Sequence, residues 1–83
     1  MKKIEIFTTT YCPYCVKAKT LLKAKNLEFE EIDVTEDQEM RIALVEKSGG
    51  RKTVPQIFIG GVHIGGCDDL YELDKNGSLE SYL

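Results

Sequence analysis

No stretch of this sequence stays apolar for the roughly 18 residues that a membrane-crossing helix needs. Nor is there an excess of basic residues to grip nucleic acid, since the net charge is −3 and the pI is near 5.1. Neither a membrane nor a nucleic acid is therefore expected as a partner, although an anion site could still be built locally. The opening MKKIEIFTTT carries lysines but no apolar segment before a cleavage site, which reads as a cytoplasmic protein without a secretory leader. Cysteine is sparse and odd in number, with three residues. That argues against a secreted disulfide scaffold and for a redox or metal role in a reducing compartment. Histidine occurs once, so any imidazole base or ligand has to be His63.

What is present fits one small globular domain spanning residues 1–83, with 42% hydrophobic and 30% charged residues, too apolar for a disordered chain. Lys3 to Thr8 alternates with an apolar group on both faces, as a strand covered on two sides would. A helix follows from Pro13 to near Asn26, its core stripe expected at Val16, Ala18, Leu21, Leu22 and Ala24. Leu27 to Val34 reads as a second strand, Leu27 and Phe29 on one face and Ile32 and Val34 on the other. The intervening helix implies a crossover and a parallel pair. Thr35 to Gln38 looks like a capping box opening a second helix through Met40, Ala43, Leu44 and Lys47, stopped at Ser48-Gly49-Gly50. Gln56–Ile59 and Val62–Ile64 flank Gly60-Gly61, a tight hairpin signal. A third helix is expected from Asp68 to about Asn76, and Ser78 to Leu83 as a last turn over the sheet. The order β-α-β-α-β-β-α gives a small mixed sheet flanked by helices, of the α/β class.

Two thiols, Cys12 and Cys15, flank Pro-Tyr where the first strand hands over to the first helix. Three residues apart on one turn, their Cα atoms fall within the roughly 4.4 to 6.8 Å that a disulfide needs. The amides and positive dipole end of the helix favour a thiolate, with such cysteines reaching pKa values of roughly 3.5 to 7.5. The dipole supplies about 0.3 to 1 kcal/mol when exposed and about 2 when partly buried. At about 1.4 kcal/mol per unit, any larger acidification needs amide hydrogen bonds to the sulfur. Cys12, nearest the helix end, reads as the nucleophile, and Cys15, one turn deeper, as the resolving thiol. Inert buried thiols are the plainer reading, and zinc held by Cys12, Cys15, His63 and Cys67 a third.

Elsewhere the residues leave alternatives open. Pro55 could simply start a strand, or follow a cis peptide that frees the N–H and C=O of Val54 for an extended peptide-like ligand. Asp68 and Asp69 read as helix-capping residues that could also meet a ligand amine. Arg41, Arg51 and Lys52 read as surface charges that could meet a ligand carboxylate. His63, on a hairpin, is expected to face solvent. Cys67 reads as a small buried residue or a regulatory thiol.

Cys12-Pro13-Tyr14-Cys15, Thr53-Val54-Pro55-Gln56 and Gly65-Gly66-Cys67-Asp68-Asp69-Leu70, in that order, resemble the dithiol, CPYC-type glutaredoxins, close to the bacterial glutaredoxin 3 class, over essentially the whole chain. The resemblance implies a thioredoxin-like fold with a four-stranded mixed sheet and a cis Pro55. It also implies glutathione as cofactor, and a monomer that reduces protein disulfides and glutathionylated proteins, ribonucleotide reductase being one compatible substrate. Cys12 would take glutathione as a mixed disulfide with Tyr14 beside it, and Thr53-Val54-Pro55 would pair with its backbone through Val54. Gly66, Cys67, Asp68 and Asp69 would meet its γ-glutamyl end, and Arg41 and Lys52 its glycyl carboxylate. Thr9 stands three before Cys12 where many relatives carry Lys, so one nearby cation is missing. An extra residue in Ser48 to Lys52 leaves open whether Arg51 or Lys52 faces the ligand. The rival within this resemblance is a dimer holding an iron–sulfur cluster through Cys12 and glutathione.

Overall fold

A computed structural model describes residues 2–83. The chain runs β1 (Ile4–Thr8), α1 (Pro13–Ala24), β2 (Glu30–Asp33), α2 (Gln38–Lys47), β3 (Gln56–Ile59), β4 (Val62–Gly65) and α3 (Cys67–Lys75), and closes with a 3-10 helix at Leu79–Tyr82. The four strands form one sheet in the order β2-β1-β3-β4. β1 pairs parallel with β2 and antiparallel with β3, and β3 pairs antiparallel with β4. The element order and the parallel crossover match the reading of the sequence.

Both faces of β1 are covered, as its two-sided apolar pattern requires. Ile4 and Ile6 join Ile57 and Ile59 of β3 against Ala18 and Leu22 of α1, Leu70 of α3 and Leu79. Phe7 and Phe58 point to the other face, where Val34 and Leu44 of α2 complete a second cluster. The two phenyl rings meet edge to face, their centroids 5.6 Å apart. Leu27 and Phe29 pack on the first cluster and Ile32 on the second, so the split expected for this segment holds although β2 itself is only four residues long.

Three local expectations are corrected. Val16 and Ala24 are exposed, and the buried stripe of α1 is Cys15, Ala18 and Leu22. The spacing from Cys15 to Ala18 to Leu22 is the true i, i+3, i+7 line, and it includes the second thiol in the core. The cap of α2 is Asp37, whose carboxylate accepts the Met40 amide at 3.0 Å. Thr35, expected to cap, is drawn the other way. Its amide donates to Asp33 at 2.8 Å and its hydroxyl accepts the Thr10 amide at 2.7 Å, which ties down the loop that leads to Cys12. Helix α3 begins at Cys67 with Gly66 as its cap residue, one position earlier than expected.

The helix stops behave as the sequence suggested. At Asn26, Gly49 and Gly77 the chain takes positive φ, and the amides of Leu27, Gly50 and Ser78 reach back to the carbonyls of Leu22, Val45 and Leu73. That is the Schellman closure, which satisfies orphan carbonyls at a helix end. Gly60 and Gly61 have φ of 57° and 82°, the two positive angles that a tight β3–β4 hairpin demands.

Candidate active site

Residue Phe7 of β1 pairs with Gln56 of β3 in antiparallel register. The turn after β1, carrying the cysteines, and the loop before β3, carrying Thr53 to Pro55, therefore leave the sheet at the same end. The Val54–Pro55 bond is cis. Cys12 sits at the helix cap with extended backbone, φ −147° and ψ 96°, and its sulfur accepts the Cys15 amide at 3.1 Å. A sulfur thus occupies the position that Ser, Thr or Asp oxygens usually fill, and the amide bond to it favours negative charge there. This is the hydrogen bond that the dipole estimate alone left wanting. Pro13, with no N–H to lose, occupies the first helical position.

The two cysteines are joined as a disulfide with Cα atoms 5.1 Å apart. Cys12 is half-buried and Cys15 is 1% exposed, so only the first is open to an incoming group. The Cys12 sulfur lies 3.7 Å from the Val54 carbonyl oxygen, across 42 residues of chain.

Beside this contact lies a cavity of about 310 Å³. Tyr14 of α1 forms one wall, Arg51 with Thr53, Val54 and Pro55 a second, and Gly66 to Asp69 at the start of α3 a third. Asp69 turns back to accept the Gly66 amide at 2.8 Å and takes the Arg51 guanidinium at 3.3 Å. The amide bond first, and Arg51 after it, hold its carboxyl below the usual range against the cost of desolvation. Gly65, at φ +125°, has no room for a side chain, because a Cβ there would strike the Asp69 carboxylate. Asp68 is exposed and Cys67 is buried, and burial pushes the Cys67 thiol up.

Of the residues singled out from the sequence, Tyr14, Thr53, Val54, Pro55, Gly66, Cys67, Asp68 and Asp69 line this one cavity, with the Cys12–Cys15 pair next to Val54. Arg41 and Lys52 do not. They line an adjoining cavity of about 520 Å³ that runs along α2 and shares Arg51, Thr53 and Val54 with the first. Arg51 is the cation common to both, the residue that a reading of the sequence left undecided against Lys52. Its signal was its place just ahead of Thr53-Val54-Pro55, blurred by the extra residue in the loop.

His63 is corrected. It is half-buried, its ring packed on Phe58 with centroids 5.1 Å apart and its Nε2 2.7 Å from Gln56 Oε1. Alternation on an edge strand pointed to solvent, but the fully buried Gln56 needed a partner and the imidazole supplies it. In this structure the four groups of the zinc reading do not converge, since Cys12 and Cys15 are joined to each other and His63 is turned to Gln56. Among the described residues no three His, Cys, Asp or Glu side chains are grouped to hold a metal ion.

Comparison with known proteins decides the kinship, because residues 4–64 match the family described as Glutaredoxin. The chain belongs to the glutaredoxin family. It is 48% identical to glutaredoxin 3 of Escherichia coli (strain K12) over 83 residues, 100% of this chain and 99% of that protein. With glutaredoxin 1 of Rickettsia felis it shares 53% over 81 residues, 96% of this chain and 79% of the relative. A crystal structure of a buckwheat glutaredoxin–glutathione complex superposes with a TM-score of 0.89 at 34% identity, covering 99% of this chain and 76% of that one. The fold is the thioredoxin-like fold of the glutaredoxins. As a glutaredoxin the chain is a thiol–disulfide oxidoreductase, with Cys12 and Cys15 as its disulfide-forming pair.

Proposed function

We propose that this glutaredoxin is glutathione-dependent and reduces protein disulfides and glutathione mixed disulfides through Cys12 and Cys15. The observation that carries the reading is the cavity opening beside the Cys12 sulfur, walled by the cis-proline loop and the start of α3. Its chemistry suits a small extended peptide with charged ends. The loop offers the backbone groups of Val54 to an extended chain. The α3 start, where Arg51 pairs with Asp69, offers amides and the Asp68 and Asp69 carboxylates to an end bearing both an anion and an amine, and Lys52 and Arg41 in the adjoining cavity offer cations to a carboxylate at the other end. Tyr14, more than half exposed at the rim, offers a ring to pack on.

Reduction begins when the Cys12 thiolate attacks one sulfur of the substrate disulfide, forming a mixed disulfide and releasing the other sulfur as a thiolate that takes up a proton. The amide of Cys15 and the helix end stabilise the attacking charge. Cys15 then loses its proton and attacks the Cys12 sulfur, which closes the disulfide seen in the structure and frees the second substrate thiol. Two electrons have passed from the pair to the substrate. Glutathione supplies the thiols that return the pair to its reduced state. For a substrate that already carries glutathione, attack by Cys12 at the glutathione sulfur releases the protein thiol without a need for Cys15.

The substrate class is therefore disulfide-bonded or glutathionylated protein, with ribonucleotide reductase a compatible member. The chain is proposed to act as a single-domain cytoplasmic monomer. Its radius of gyration of 11.9 Å matches the roughly 12 Å of one compact domain of this length. Among the described residues no helix is long and apolar enough to cross a membrane.

Glutathione-dependent reduction of a small mixed disulfide tests the reading. Cys12→Ser should lose activity by at least about a thousandfold, as expected when a nucleophile is removed. Cys15→Ser should keep most of it while losing reduction of an intramolecular protein disulfide. A Cys12→Ser protein that turns over near the wild-type rate would overturn the proposal.

A further inference from the structure

Gln56 is a fully buried polar side chain that the exchange reaction does not touch. Its Nε2 donates to the Thr53 carbonyl oxygen at 3.0 Å and to the Thr53 hydroxyl at 3.4 Å, while its Oε1 lies 2.7 Å from His63 Nε2. An amide oxygen can only accept, so the proton of that short bond sits on His63 Nε2. The His63 ring is itself braced on Phe58. A line of hydrogen bonds therefore runs from edge strand β4, across the start of β3, into the loop that faces Cys12.

The point where it ends matters. The Thr53 carbonyl and the Val54 N–H belong to one peptide unit, and a peptide unit is planar. Fixing the direction of the Thr53 oxygen fixes the direction of the Val54 N–H on the opposite side of the same plane. We infer that Gln56 and His63 are positioning residues that orient the Thr53–Val54 peptide so that Val54 presents its N–H to an extended substrate backbone beside Cys12. The inference rests on the reading that the Thr53–Pro55 loop receives substrate. It assigns the selectivity for an extended peptide chain partly to a histidine on a different strand, which touches no substrate.

Three variants test it. His63→Phe keeps a ring on Phe58 but cannot donate to Gln56. His63→Gln keeps a donor of similar reach. Gln56→Met keeps the buried volume and removes all three bonds. In the wild type and each variant, KM and kcat are measured for a small glutathione mixed disulfide, and the backbone order parameter of the Val54 amide is measured by nitrogen relaxation in the free protein. His63→Phe and Gln56→Met should raise KM about tenfold with kcat within about twofold, the pattern of lost uniform binding, and should lower the Val54 order parameter. His63→Gln should match the wild type in both. The inference is overturned if His63→Phe and Gln56→Met leave KM and the order parameter unchanged, or if His63→Gln loses as much as His63→Phe. Should the wild type show no glutathione-dependent turnover, the functional reading alone fails, because the order parameter tests the pair without any substrate.

Discussion

His63 is asked to be neutral by most of what surrounds it. Burial beside Phe58 lowers its pKa first, Arg51 lowers it further, and Asp69 opposes them. The unfolded chain binds a proton near the ordinary value of 6.5, while the folded chain resists doing so. The stability this represents is complete above that pH and is lost as the pH falls below it towards the lower folded pKa. Urea unfolding at pH 7.5 and 5.5 should show the folded state weakening on the acid side, and His63→Gln should flatten that step. The carboxylates with lowered pKa values, Glu31, Asp33 and Asp69, titrate from ordinary values of 4.5 and below, so they leave this window undisturbed. An unchanged step in His63→Gln would assign the pH dependence to another group. Nothing in the spacing of Val62, His63 and Ile64 could have revealed this. Alternation reports which face a side chain leaves by, not whether a buried amide seven residues earlier is waiting for a donor.

At the scale of elements, the largest difference between pattern and structure is the start of α2. Thr35 and Gln38 have the residue types and spacing of a capping box, yet Asp37 caps the helix and Thr35 binds Thr10. A hydroxyl and a carboxylate two residues apart compete to start the helix, and the Thr35 hydroxyl is instead held by a loop 25 residues earlier in the chain. Asp37→Ala should therefore cost about 1 kcal/mol, within the roughly 0.5 to 2 of lost caps, while Thr35→Ala should leave the helix content of α2 intact. Chemical denaturation together with circular dichroism checks both, and an Asp37→Ala protein as stable as the wild type would contradict the assignment. Elements with a one-dimensional signature were legible: the covered strand β1, the Gly60-Gly61 hairpin and the three helix stops. The buried face of α1 was misread at Val16 because the sequence marks apolar residues, and the residue that took the core position was a cysteine already assigned to chemistry. The same limit applied to the site. The motif residues Tyr14, Thr53 to Pro55 and Gly66 to Asp69 line one cavity, but the split between the two cavities, and the central position of Arg51 between them, depend on how the loop folds over Gly66.

At the scale of the whole molecule, a chain this short has little core to spare. Leu79, in the closing 3-10 helix, is 1% exposed and packs with Ile4, Ile57 and Leu70. Leu79→Ala should destabilise by roughly 2 to 5 kcal/mol, a large part of the total for a domain of this size. The transition midpoint in urea reads this directly, and a shift of under about 0.5 kcal/mol would mean that the last turn is not part of the cooperative unit. Charge pairing contributes less at this scale. Lys25 with Asp74 and Lys3 with Glu30 lie at the surface, where solvent screens the attraction and salt weakens it further.

The contact between the Cys12 sulfur and the Val54 carbonyl spans 42 residues. During synthesis both thiols leave the ribosome well before the loop that faces them. The selectivity proposed for a peptide-like partner depends on a contact that exists only once the third strand has docked against the first.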